Sequence, residues 1–158
     1  MAHVLILSPP NVLLRVFYGI DLAVGAHRPN RPDDVKLVQF FLRSLSRIND
    51  VVTRESYFPS GQAMLEADGF YGPQTAAYIK HFEAVLSRAA PGGGPMKPWQ
   101  DGVIDPKPAG LSFGPVHHRA YAIIRLNTLY AEAFGIDRHN AIDKDLDFPA
   151  TLRPKLFV

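Results

Sequence analysis

The sequence predicts a mainly α-helical fold built on three helices, and three observations carry that reading. Apolar residues recur at helical spacing in DDVKLVQFFLRSLSRI (33–48), again in PQTAAYIKHFEAVL (73–86), and around most of PVHHRAYAIIRLNTLYAEAF (115–134). The segments between them are rich in Pro and Gly. With 158 residues and 47% hydrophobic composition, the chain has enough apolar surface for one core without disulfides or metals. The expected organisation is an extended N-terminal arm over 1–32, a helical domain with insertions over 33–135, and an irregular tail over 136–158.

Taken in order, VLLRVFYGIDLAV (12–24) is apolar, β-branched and aromatic in places, and reads as one or two extended segments. GAHRPNRP follows as a loop, because Pro29 and Pro32 exclude a helix until the chain has passed them. Asp33 and Asp34 suit the first turn of helix one, where carboxylates meet the positive end of the dipole. Its stripe is Val35, Val38, Leu42 and Leu45, widened by Phe41 and Ile48. Residues 49–66 read as a long loop or short hairpin. Helix two starts with Gly72 near the N-cap and Pro73 at N1, a position whose amide has no intrahelical partner; Ala76, Ile79, Phe82, Val85 and Leu86 form its stripe. APGGGPMKP (90–98) is a loop. Helix three ends at Gly135, leaves Arg125, Thr128 and Glu132 as a narrow polar stripe, and is expected to be the central helix. The tail carries Pro149 and Pro154 with no clean period and is expected to lie extended on the domain or on a partner.

Charge and composition exclude several classes of function. Seventeen basic residues against 15 acidic ones, with no Lys/Arg run, argue against nucleic acid as the main partner. The absence of cysteine removes thiolate zinc sites, disulfides and a cysteine nucleophile. No stretch approaches the roughly 20 apolar residues of a membrane span, and the four-residue apolar run Val4–Leu7 is too short for a Sec-type signal peptide. A soluble protein is expected, and reaching the cell envelope would take a route other than a Sec-type signal peptide; the sequence leaves the location open.

The motif that stands out is EADGFYGPQTAAYIKHFE (66–83), echoed by DGVIDPKP (101–108). Asp-Gly dipeptides form turns because Gly accepts positive φ and the Asp side chain bonds the backbone ahead of it. Asp68 and Gly69 are therefore read as a turn, Gly72 and Pro73 as a helix start, and Asp101 and Gly102 as a second turn, with no metal or catalytic role for either acid.

Together, Asp34, Val35, Gln39 and Leu42, then Asp68, Gly69, Gly72, Pro73, Thr75 and Phe82, then Asp101 and Gly102 resemble the peptidoglycan-binding-domain-like modules. In those three-helix units a D-V-x-x-x-Q helix start precedes D-G-x-x-G-P-x-T, a second helix ending in Phe-Gln, and another Asp-Gly turn. The resemblance covers about residues 33–108 and implies a three-helix bundle that binds peptidoglycan or cell-wall glycan without catalysis or cofactor. This chain differs in three ways. Glu83 stands where the family has Gln, the first loop is longer, and PKPAGLSFGP displaces the third helix.

Side chains suited to sugar recognition near the turns are Tyr71, Gln74, Tyr78 and Trp99. The opposing expectation for Phe70 or Tyr71 is packing between helices. His117 and His118 are adjacent and point apart, unlike the i, i+4 pair a helical metal site uses. Asp101 and Asp105 are the one carboxylate pair a cell-wall hydrolase would draw on, but their turn explains them. The alternative to a wall-binding module is a structural component, a homo-oligomer or part of a multi-protein assembly such as a phage tail or contractile injection apparatus.

Overall fold

The computed structural model describes residues 1–7, 14–90, 99–108 and 121–157. The fold is mainly helical. Helix α1 spans Pro32–Leu45, α2 Pro73–Ala89 and α3 Ala122–Phe134, followed by two shorter helices, α4 (Ile136–Asn140) and α5 (Arg153–Leu156), with a 3₁₀ turn at Ile142–Lys144. Two small antiparallel sheets flank them. Strands β1 (His3–Ile6) and β2 (Val16–Gly19) pair from His3 opposite Gly19 to Ile6 opposite Val16. Strands β3 (Val24–Gly25) and β4 (Val103–Ile104) pair Val24 with Ile104 and Gly25 with Val103.

Helices α1 and α2 form where the periodicity places them; of the third, expected over 115–134, the described part is helical from Ala122, Tyr121 is extended, and 115–120 lie outside the described residues. All of the residues expected on the α1 stripe are buried except Ile48, which is partly exposed beyond the helix end. The surprise is how much else α1 buries. Leu37 and Phe40 are also fully covered, and so are the polar Asp34, Gln39 and Ser44. Helix α1 contacts α2, α3 and β3, so the centre of the fold belongs to α1 as much as to α3. Sequence reasoning ranked α3 first because apolar residues cover most of its circumference. Of the polar residues that α1 buries, Asp34 and Gln39 are held by hydrogen bonds. The Asp34 carboxylate, for example, accepts the backbone N–H groups of Asp21 and Leu22 at 3.4 and 3.3 Å, which fixes the approach of the preceding chain.

The segment read as an arm is extended, and it runs through the core. Leu14, Phe17, Tyr18, Ile20 and Val24 are buried against the helices. Tyr18 is held on both of its backbone groups by one side chain: Asn127 of α3 accepts its N–H at 3.0 Å and donates to its carbonyl at 2.9 Å. A side-chain amide thus substitutes for a neighbouring strand.

Residues 49–57 close into a short hairpin. Asp50 accepts the N–H groups of Val52 and Thr53 and the Tyr57 hydroxyl, and Asn49 bridges Ser56.

The tail lies on the domain, but in short helical turns rather than extended. Ile142, Phe148 and Leu152 enter the same core as the arm and the three long helices. Phe148 packs edge-on to Phe40 with ring centroids 5.1 Å apart. Asp145 accepts the Tyr130 hydroxyl and two nitrogens of Arg138 at 3.0 and 2.8 Å. Ion pairs from Arg47 to Asp147 (2.5 Å) and Lys155 to Asp33 (2.7 Å) fasten the tail to α1. The boundaries at 32 and 135 therefore divide segments that share one core.

Candidate functional site: two Asp-Gly turns

Each Asp-Gly turn is built the same way. In the first, Asp68 Oδ1 accepts the N–H of Phe70 at 2.8 Å, closing the turn over Gly69. Gly69 has φ +84°, and a Cβ there would lie 2.8 Å from the Pro32 carbonyl oxygen. The position therefore requires glycine both for its backbone and for its closeness to α1. In the second, Asp101 Oδ1 accepts the N–H of Val103 at 3.1 Å over Gly102, at φ +73°.

A buried side chain from a helix then ties each turn down. Gln39 of α1 accepts the Gly69 N–H at 2.8 Å through Oε1. Its Nε2 reaches Asp68 Oδ1 at 2.9 Å, the Phe70 carbonyl at 3.0 Å and Thr75 Oγ1 at 3.1 Å. This one amide joins α1, the turn and the first turn of α2. On the second turn the tie is Glu83 of α2, whose Oε2 accepts the Gly102 N–H at 2.9 Å. Glu83 is 1% exposed, and its Oε1 is buried without a hydrogen-bond partner. Burial raises its pKa to about 7; the Gly102 amide opposes the shift and Asp101 reinforces it. Asp105 is also raised, chiefly by burial and then by Asp101.

The side chains expected to contact a ligand are placed unequally. Tyr78 is 1% exposed, with its hydroxyl donating to the Ala63 carbonyl at 2.8 Å and accepting the Leu65 N–H at 3.2 Å. It pins the 59–66 loop to α2 and is removed from the ligand-contacting set. The reason is helical phase, since Tyr78 lies between Thr75 and Phe82 on the inward face. Gln74 lies beside it, partly exposed, donating to the Ala63 carbonyl at 2.8 Å. Tyr71 is half-buried against the core, and that burial raises its phenol pKa. Trp99 is half-buried and packs on Tyr121 with centroids 5.6 Å apart.

Sequence reasoning missed Phe70. Its backbone is fixed by Asp68 and Gln39, yet its ring is 72% exposed. The signal was available in the extended link between Gly69 and Gly72, where successive side chains point to opposite sides. Tyr71 turns inward, so Phe70 turns out.

Among the described residues no group of three His, Asp or Glu side chains is placed to hold a metal ion. His117 and His118 lie outside the described residues. His81 contacts the Ser56 carbonyl at 2.8 Å. No helix of the described residues is long and apolar enough to cross a membrane. A scan against protein-family models, a search of curated proteins and a search of solved structures each return no match.

Proposed function

We propose that this chain is a non-catalytic module that binds peptidoglycan through the surface of its first Asp-Gly turn. We also infer that α1, α2 and α3 with the two turns form a unit like the peptidoglycan-binding domains it resembles. The observation that carries the reading is the presentation of Phe70. An aromatic ring is held out to solvent on a backbone that Asp68 and Gln39 lock in place, with Tyr71 and Gln74 beside it. Rigid display of an apolar face suits stacking on a sugar ring, and the neighbouring amide supplies directional hydrogen bonds. A place at the cell envelope follows from such a ligand.

The test is co-sedimentation with purified insoluble cell wall. The folded protein is expected in the pellet, and Phe70→Ala combined with Gln74→Ala is expected to shift it to the supernatant while circular dichroism is unchanged. Raising the salt should weaken binding only modestly, because the chain's net charge is +2. A folded protein that leaves every wall preparation in the supernatant removes this reading.

One observation favours the assembly reading as a second. Ile6, Val51 and Leu146 are 85, 75 and 98% exposed, on β1, the 49–57 hairpin and the tail. As a building block the chain would self-associate through such positions, and Leu146→Ser would abolish that association without lowering stability. The hydrolase reading, which draws on Asp101 and Asp105, has less support, since Asp101 Oδ1 closes its own turn on the Val103 amide.

A further inference from the structure

The two turns share the Asp-to-amide bond and a glycine at positive φ and differ in the side chain that ties them, and that difference has a chemical consequence. On the first turn the tie is an amide. Its oxygen accepts the glycine N–H, and its nitrogen donates back to the Asp68 carboxylate and the Phe70 carbonyl. On the second turn Glu83 Oε2 takes the part of the Gln39 oxygen. The remaining atom, Oε1, is a carboxylate oxygen and, unlike the Gln39 nitrogen, has nothing to donate. It is buried and makes no hydrogen bond; the Val103 amide, already given to Asp101, is a further donor near the carboxylate.

We propose that Glu83 is a proton-operated latch on the second turn: neutral, it donates from Oε1 towards the Asp101 side of the turn as Gln39 donates to Asp68, and ionised it loosens residues 101–104. The proton comes from solvent and resides on Oε1, leaving Oε2 free to keep the Gly102 N–H. The surrounding charges favour the neutral form. Asp101 and Asp105 face Glu83 from the turn, and the Tyr71 phenol is coupled to it from the chain leading into α2. Two cationic side chains border the turn. The Lys80 stem lies over Gly102, 3.4 Å from where a Cβ would stand, and Arg28 offsets Asp105. Burial and these carboxylates together place the titration at about 7.

The latch acts on a part of the fold with few other ties. Strand β4 pairs with β3 over only two residues, and Ile104 and Val24 bring that pair into the core. Ionising Glu83 leaves a buried carboxylate on the Gly102 amide, with the nearby Val103 amide shared with Asp101, beside two further acids, a situation that a small movement of 101–104 towards water relieves. The transition this implies is local, with the three long helices in place on both sides of it.

The inference stands apart from wall binding and is tested without a ligand. In carbon-13 spectra of the intact protein, the side-chain carboxyl groups of the four glutamates are followed from pH 4 to 9. One of them, Glu83, is expected to titrate near 7, with the amide signals of Gly102 and Val103 following the same midpoint. Glu83→Gln supplies the missing donor, so its Gly102 and Val103 signals should no longer move with a midpoint near 7. Its melting temperature should exceed that of the wild type by several degrees at pH 9 and by much less at pH 5. Groups elsewhere titrate equally in both proteins, so the difference between the two curves belongs to Glu83. A wild-type protein in which all four glutamates titrate below about 5, the ordinary range, overturns the proposal whether or not the variant folds. So does a Glu83→Gln protein whose Gly102 amide still moves with a midpoint near 7.

Discussion

Gln39 carries more of the fold than its side-chain type suggests. It is 1% exposed and links three pieces of chain through one amide. Gln39→Ala leaves the Gly69 N–H buried without its partner and the Phe70 carbonyl with only the Thr75 hydroxyl, so a loss of about 1–3 kcal/mol is expected in urea denaturation. Asp68→Ala removes a turn bond at a more exposed place and should cost about 1 kcal/mol. His139 sets the response to acid. It is fully buried, and its Nε2 faces Asn127 Oδ1 at 3.1 Å. Burial lowers its pKa from 6.5 to about 4, with the nearby Asn140 side chain opposing the shift. The unfolded chain therefore takes up a proton before the folded one does. Its contribution is complete above pH 6.5 and is lost as pH falls towards about 4. Glu83 works in the opposite sense. Its raised pKa stabilises most below 4.5, and that contribution is lost as pH rises through about 7. Thermal melts should therefore show the two opposing each other between 4.5 and 6.5, and replacing His139 by Gln should flatten the acid limb alone.

At the scale of elements, the long helices were legible because their periodicity is dictated by the core they face. Phe82 on α2 is 1% exposed and Ile123 on α3 is fully buried. Truncating either to Ala should cost roughly 2–5 kcal/mol; values below about 0.5 kcal/mol at both would mean the helix faces are misassigned. The Asp-Gly turns were legible from local chemistry, since Asp68 and Asp101 each bond an amide two residues on. What could not be read was which distant side chain ties each turn. Gln39 precedes Asp68 by 29 positions, and nothing local marks it as inward-facing. Tyr78 was misplaced for the same reason: its hydroxyl partners, Ala63 and Leu65, lie in a loop whose path the sequence leaves open.

Across the whole molecule, arm and tail are held by packing that is non-local in sequence. Tyr18 meets Asn127 across 109 positions, and Lys155 meets Asp33 across 122. Such pairings carry no periodic signal, which is why the tail's short helices were not foreseen. They also set the consequence of truncation. Removing 136–158 uncovers the core around Phe40 and Tyr130, so the shortened chain should lose its cooperative melting transition. Phe148→Ala alone should cost about 3–5 kcal/mol.

The claim that this fold displays Phe70 for a wall ligand is tested most directly by amide chemical-shift mapping with soluble peptidoglycan fragments. The account predicts saturable shifts clustered at 68–76, absent from Phe70→Ala. Shifts that cluster on the 49–57 hairpin or the tail instead, or a folded protein whose spectrum does not change at millimolar fragment, would contradict it.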